Sequence, residues 1–159
     1  MKSNHKSTTS PCGETYGEGV RESTHGMEYV TGFTPGGREI VVEAALGLQF
    51  VQKQLTAKAG EVLTLVFKNP DVVPHNWLLA RPGSLQRLGE KCNLMITDPQ
   101  GLAKHYVPDS GDVLAYTDMV NPQQTFTIHI TAPSEPGDYP YLCTFPGHWM
   151  IMNGVLRVE

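Results

Sequence analysis

The sequence predicts an all-β sandwich that carries one long, partly helical excursion between strands. Two observations favour this fold class. From Arg38 onward the chain contains many short β-branched and aromatic stretches, several of which alternate apolar and polar positions as half-buried strands do. Glycine, proline and asparagine separate these stretches at short intervals, which is typical of the turns in an antiparallel sandwich.

The strand candidates follow one another along the chain. REIVVEAAL begins at Arg38, LQFVQKQLTAK alternates in part, and EVLTLVFKN alternates with a period of two after the Ala59-Gly60 turn. Later candidates are HNWLLA, DVLAYT, QTFTIHITA, DYPYLC and GVLRVE. Between Arg81 and Asp112 the pattern is mixed, and helical turns are expected at 84–91 and 100–105. We interpret this stretch as the excursion.

Composition and length suggest one folded domain behind a polar tail. Residues 1–37 are rich in serine, threonine, glycine and glutamate and end in Pro-Gly-Gly, so we interpret them as an N-terminal tail or linker. Residues 38–159 are long enough to bury a core of their own. The net charge of −4 argues against nucleic acid as a partner, because phosphates require a basic surface.

Membrane and targeting segments are not predicted. No apolar run approaches the ~20 residues that cross a bilayer. The first residues are polar and lack the apolar centre of a signal peptide. The sequence alone therefore predicts either a cytoplasmic protein or one whose leader or parent chain lies outside these 159 residues.

A cluster of metal-ligand residue types lies near the C-terminus, in YLCTFPGHWMIMNG. Cys143 and His148 are separated by a Pro-Gly turn, and Met150 and Met152 follow. A single thiolate excludes a four-cysteine cluster and most structural zinc sites. Cysteine, histidine and a weak thioether are three parts of a blue-copper site, which contains two histidines and one cysteine.

The missing histidine is predicted to be His75. His5 and His25 lie in the polar tail, and His105 and His129 are expected at the surface. His75 ends a proline-rich approach to a strand, NPDVVPHN, where the loops of a sandwich converge.

These two motifs, PHNW and CTFPGH-x3-M, make residues 38–159 similar to the cupredoxins, specifically azurin and the auracyanin-type blue copper proteins. The resemblance implies a Greek-key β-sandwich with one type 1 copper that serves one-electron transfer. It also implies that His75, Cys143 and His148 are the equatorial ligands and Met152 the weak axial one. Pro74 stands where azurin has a glycine, so its carbonyl is the candidate for a further weak contact.

Supporting roles are expected around these ligands. We expect the side chain of Asn76 to bond the backbone around Thr144 and so to lock the two ligand loops together. Transient docking is expected on an apolar surface around His148. Its predicted members are Val73, Pro74, Pro146, Trp149 and Met150.

The resemblance also implies partners and a location. Redox proteins such as cytochromes or membrane electron-transfer complexes are the expected partners. The expected location is periplasmic or otherwise extracytoplasmic, with residues 1–37 suggesting a tether to a membrane or a larger protein.

Two other functions compete with free electron transfer. Blue-copper domains also occur in multicopper oxidases and nitrite reductases, but those enzymes need His-x-His or His-Cys-His runs, whereas Leu142 and Thr144 flank Cys143. We therefore expect no enzyme activity from this chain alone. The alternatives are an electron-entry domain of a larger redox enzyme and, less favoured, a copper carrier.

The two cysteines outside the proposed site, Cys12 and Cys92, are expected to be either both free or paired with each other.

Overall fold

Nine strands and one α-helix make up residues 37–159, the part of the chain that this computed structural model describes. The helix, α1, spans Leu85–Leu94 and runs into a short 3-10 helix at Met95–Thr97. The strands are β1 Arg38–Ala45, β2 Gln49–Phe50, β3 Gln54–Ala57, β4 Val62–Asn69, β5 Leu78–Ala80, β6 Val113–Tyr116, β7 Gln124–Thr131, β8 Gly137–Leu142 and β9 Asn153–Val158. Nearly all of the predicted tail, residues 1–36, lies outside the described residues.

The strands form two packed sheets, which confirms the predicted sandwich. One sheet has the order β2-β1-β4-β7 and the other β3-β9-β8-β5-β6. The predicted antiparallel pairing is confirmed for most strands, but β1 pairs with β4 and β3 pairs with β9 in parallel. Between β1 and β4 the chain crosses to the other sheet through β3, so it returns in the same direction.

The core lies between the two sheets and consists mainly of aliphatic side chains packed around several large aromatic rings. The alternation predicted for β4 is confirmed, since Leu63, Leu65 and Phe67 all point inward and are buried. Trp77 is fully buried in the core beside Tyr141, with ring centroids 5.6 Å apart. Burying such large rings is a main source of stability in a domain of this size.

The excursion between β5 and β6 covers the outer face of the second sheet. Strand β5 is therefore buried on both faces: Leu79 faces the sandwich core, while Leu78 packs under the excursion with Leu88 of α1. The helix predicted near 84–91 is confirmed, and the expected stretch at 100–105 forms a turn in which the N–H of Lys104 donates to the carbonyl of Gln100 at 2.9 Å. No helix within residues 37–159 is long and apolar enough to cross a bilayer.

Candidate metal centre

One thiol and two imidazoles converge at one end of the sandwich. Cys143 directly follows β8, and His75 lies two residues ahead of Trp77 on the approach to β5, the strand paired with β8. His148 lies in the loop between β8 and β9. The Sγ atom of Cys143 is 3.8 Å from Nδ1 of His75 and 3.6 Å from Nδ1 of His148. All three donor atoms lie within 4.8 Å of one another.

These separations fit a single metal ion. Metal–nitrogen and metal–sulfur bonds in proteins are about 2.0 and 2.3 Å long. Nitrogen and sulfur ligands set 120° apart around one ion therefore stand roughly 3.7 Å from each other. The two observed sulfur–nitrogen distances, 3.8 and 3.6 Å, bracket this value. A three-coordinate arrangement of one thiolate and two imidazoles therefore needs little movement of these side chains.

The protonation states of the donors also suit metal binding. Burial, followed by the nearby His75, lowers the pKa of His148 to about 4, so this imidazole is neutral at pH 7. Burial raises the pKa of Cys143 to about 12. The thiol therefore keeps its proton until a positive ion replaces it, which makes metal binding at this site release a proton.

Of the two methionines, Met152 occupies the protected position. Its backbone N–H donates to the carbonyl of His148 at 2.9 Å, and its own carbonyl accepts from the N–H of Cys143 at 3.1 Å. Met152 is fully buried, whereas Met150 is 64% exposed. A buried thioether held between two ligand residues suits a weak axial ligand.

The loop from Cys143 to Met152 is held in a defined conformation. Gly147 has φ +89°, a value that glycine adopts without strain, and its N–H donates to Oδ1 of Asn93 in α1 at 3.0 Å. The N–H of His148 donates to the carbonyl of Phe145 at 2.9 Å. The excursion thus supports the turn that carries His148.

The loop that carries His75 is equally fixed. The backbone of His75 exchanges two hydrogen bonds with Val120, of 3.1 and 2.7 Å. Asn69 donates from Nδ2 to the carbonyls of Val73 and Val120, which ties the loop to the end of β4. On its far side, Nε2 of His75 lies 2.8 Å from Oδ2 of Asp71, and both side chains are buried. The hydrogen bond from His75 is the main reason that the pKa of Asp71 falls below its usual range.

Two hydrogen bonds join the ligand loops. Nδ2 of Asn76 donates to Oγ1 of Thr144 at 2.8 Å, and the N–H of Thr144 donates to Oδ1 of Asn76, also at 2.8 Å. Both residues are fully buried. Breaking this pair would leave polar groups unsatisfied next to the centre, which is costly.

Two aromatic rings, Phe145 of the ligand loop and Tyr106 of the excursion, pack on one side of the site. Phe145 packs against the ring of His148, with centroids 4.6 Å apart, and Tyr106 packs edge-on against Phe145 at 5.3 Å. His105 lies at the surface as expected, with 39% of its side chain exposed, but its Nδ1 also accepts the N–H of Met119. This hydrogen bond joins the excursion to the segment that follows β6.

The residues expected to dock partners differ in exposure. Val73, Pro74 and Pro146 are half-buried, and Met150 is exposed. The indole of Trp149 packs on α1, where a methyl group at Gly89 would overlap it, and its Nε1 is buried. Trp149 thus has a packing role that the sequence did not reveal. In a sequence, the glycine at position 89 indicates only a weaker helix, and not that an indole packs against it.

Replacing Gly89 by alanine should destabilise the protein by about 1–3 kcal/mol, as overpacking of a filled site usually does. The added methyl group must displace the indole of Trp149, which neighbours His148 in the chain. We expect a lower melting temperature together with a changed visible spectrum of the copper-loaded protein. Gly111→Ala is the matched control, because a methyl group there meets nothing within 4 Å. Equal effects of the two changes would contradict this packing.

The remaining cysteine of the described residues takes no part in the site. Cys92 in α1 is buried and carries a free thiol, whose pKa is raised to about 12, mainly by burial. The other partner considered in the sequence analysis, Cys12, lies outside the described residues.

A two-sheet sandwich that brings one thiol, two imidazoles and a buried thioether together at one end defines the class of type 1 copper proteins, the cupredoxins. Comparison with known proteins leads to the same class. The chain belongs to the plastocyanin/azurin family of copper-binding proteins, whose family model matches residues 38–159.

Individual relatives agree with this family. Auracyanin-A from Chloroflexus aurantiacus is 36% identical over 115 residues, which span 70% of this chain and 68% of that protein. Azurin-1 from Alcaligenes xylosoxydans xylosoxydans is 32% identical over 121 residues, which span 70% of this chain and 90% of that protein. The solved structure of auracyanin A, described as a "blue" copper protein, superposes with a TM-score of 0.70 at 33% identity, covering 78% of this chain and all of that one. The chain is thus an azurin- and auracyanin-like copper protein of the electron-transfer class.

Proposed function

We propose that this chain carries single electrons between redox proteins, with His75, Cys143 and His148 as equatorial copper ligands and Met152 as the axial one. The observation that carries this proposal is the convergence of three donor atoms within 4.8 Å in a buried, hydrogen-bonded frame. A weak carbonyl contact from Pro74 stays a prediction.

The frame serves electron transfer by limiting movement. Bound copper supplies a one-electron couple between Cu(II) and Cu(I). Both ligand loops are tied to strands and to each other through Asn76 and Thr144, so the imidazoles and the thiol keep their places whichever charge the site holds. A site that does not rearrange exchanges electrons with a small barrier, because little reorganisation accompanies the transfer.

Partners are proposed to dock on an apolar patch beside His148. Three residues of the patch are exposed: Val72 by 77%, Met150 by 64% and Ile151 by 57%. Val73, Pro74 and Pro146 lie at its edge. Val72 and Ile151 join the set expected from sequence, and Trp149 contributes by packing beneath it. Exposed apolar surface of this kind marks sites of transient association.

Adding a charge to this patch should slow electron transfer without altering the copper site. We expect Met150→Asp to reduce the bimolecular rate with a soluble c-type cytochrome about tenfold, measured by stopped flow, because a carboxylate must be desolvated on docking. The visible spectrum should stay unchanged. Ala59→Asp is the control, since Ala59 lies exposed at the opposite end of the sandwich, where its N–H bonds Glu159. Equal slowing by both would point to net charge rather than a docking patch.

The proposal extends to class, location and domain limits. We infer a carrier rather than an enzyme, because the flanks of Cys143 lack the histidines of catalytic copper clusters. We infer an extracytoplasmic location from the family resemblance, and cell fractionation tests it. A linker at residues 1–37 before a domain at 38–159 predicts that limited proteolysis removes the former and leaves the latter intact.

A further inference from the structure

A buried carboxylate contacts the far side of one proposed ligand. Oδ2 of Asp71 lies 2.8 Å from Nε2 of His75, and only 4% of the Asp71 side chain is exposed. The other oxygen, Oδ1, accepts the N–H of Val72 at 2.7 Å, and the N–H of Asp71 itself donates to Oδ1 of Asn69 at 3.0 Å. The carboxylate therefore cannot swing away, because both of its oxygens and its backbone are held by the loop.

This contact fixes which nitrogen of His75 carries the proton. An ionised carboxylate only accepts hydrogen bonds, so Nε2 of His75 must carry a hydrogen and donate it. The neutral ring then keeps its lone pair on Nδ1, the atom that lies 3.8 Å from Sγ of Cys143. Within residues 37–159, His148 makes no comparable ion pair, so the two imidazoles are not equivalent.

We propose that Asp71 is a positioning residue of the metal centre, which orients His75 with a bare Nδ1 and lowers the reduction potential of the copper by placing a negative charge behind that ligand. A carboxylate on a ligand's outer nitrogen makes the imidazole a stronger donor. In a buried setting its charge is weakly screened and favours the more highly charged metal state, Cu(II) over Cu(I). This inference rests on the proposed function, because it assumes that His75 binds copper.

The test compares two carboxylate-to-amide changes in the full chain. Asp71→Asn keeps the shape and the acceptor for Val72, but it removes the charge and places an NH2 donor against Nε2 of His75. Asp118→Asn removes a carboxylate that lies beside His105 instead. We expect Asp71→Asn to weaken Cu(II) binding about 10- to 100-fold, as loss of an outer-shell partner does. The potential should rise by about 59 mV for each tenfold loss of Cu(II) affinity relative to Cu(I). Asp118→Asn should change both far less.

A second measurement uses the copper-free protein. Nitrogen NMR of the His75 ring at about pH 9, where an imidazole is neutral, should find the ring proton on Nε2 in the wild type. A proton on Nδ1 would overturn the proposal even if Asp71→Asn failed to fold. Unchanged potential and affinity in a folded Asp71→Asn protein would also overturn it and leave Asp71 as a loop cap. A wild type that binds no copper would instead overturn the proposed function, so the two failures are distinguishable.

Discussion

Replacing Cys143 by serine should abolish the blue colour of the copper-loaded protein while leaving a folded sandwich. The thiolate supplies the charge transfer to copper that makes such sites intensely coloured, and an alcohol oxygen does not. The strands β8 and β9 on either side of the loop supply the fold. Their antiparallel ladder is continuous from the Gly137–Val158 pair to the Leu142–Asn153 pair. Visible absorption after copper addition is the measurement, with an expected loss of nearly all intensity.

The copper-free form of the same variant separates chemistry from stability. Serine nearly matches cysteine in size, so we expect the free energy of unfolding without copper to change by no more than about 2 kcal/mol. A copper-free Cys143→Ser protein that does not fold would show that the cysteine is chiefly structural. A variant that stays blue would place the thiolate ligand elsewhere.

Replacing Met152 by leucine should keep a blue site but raise its reduction potential. The thioether donates weak electron density that favours Cu(II), and leucine fills a similar volume without donating any. We expect a rise of at least about 59 mV, which corresponds to a tenfold change in relative affinity for the two copper states. Cyclic voltammetry of the purified protein measures it.

Met150→Leu is the matched control for this change. Met150 is largely exposed, while Met152 is buried and bonded through its backbone to both Cys143 and His148. We therefore expect the potential of Met150→Leu to stay close to that of the wild type. The opposite result, a large shift for Met150→Leu alone, would mean that the loop after His148 follows another path to β9.

The sequence predicted best those residues whose spacing in the chain and whose ligand chemistry point to the same site. Cys143, His148 and Met152 lie within ten residues, so their spacing limited the geometry of the loop, and a proline-rich approach distinguished His75 from the other histidines. The alternation in β4 likewise predicted which side chains face the core. The parallel pairings escaped prediction because a period of two is the same for parallel and antiparallel strands.

The contacts that support the ligands were less visible. Asp71 precedes His75 by four residues in NPDVVPH, a spacing that in the sequence indicates only a turn. The contact between the carboxylate and the imidazole is seen only in the folded loop. The helix α1 supports the ligand loop through Gly89 and Asn93. Both residues lie more than fifty positions before the loop residues that they contact. Such long-range contacts leave no local pattern in a single sequence.

Copper titration of the metal-free 159-residue chain, followed by visible absorption, tests the central claim most directly. The proposed ligand set predicts that the intense blue band grows linearly and stops at one copper per chain. A band of this intensity requires a Cu(II)–thiolate bond, and Cys143 is the thiol that lies beside the imidazoles of His75 and His148. A protein that binds one equivalent of copper and stays colourless would contradict the type 1 centre and favour a copper carrier.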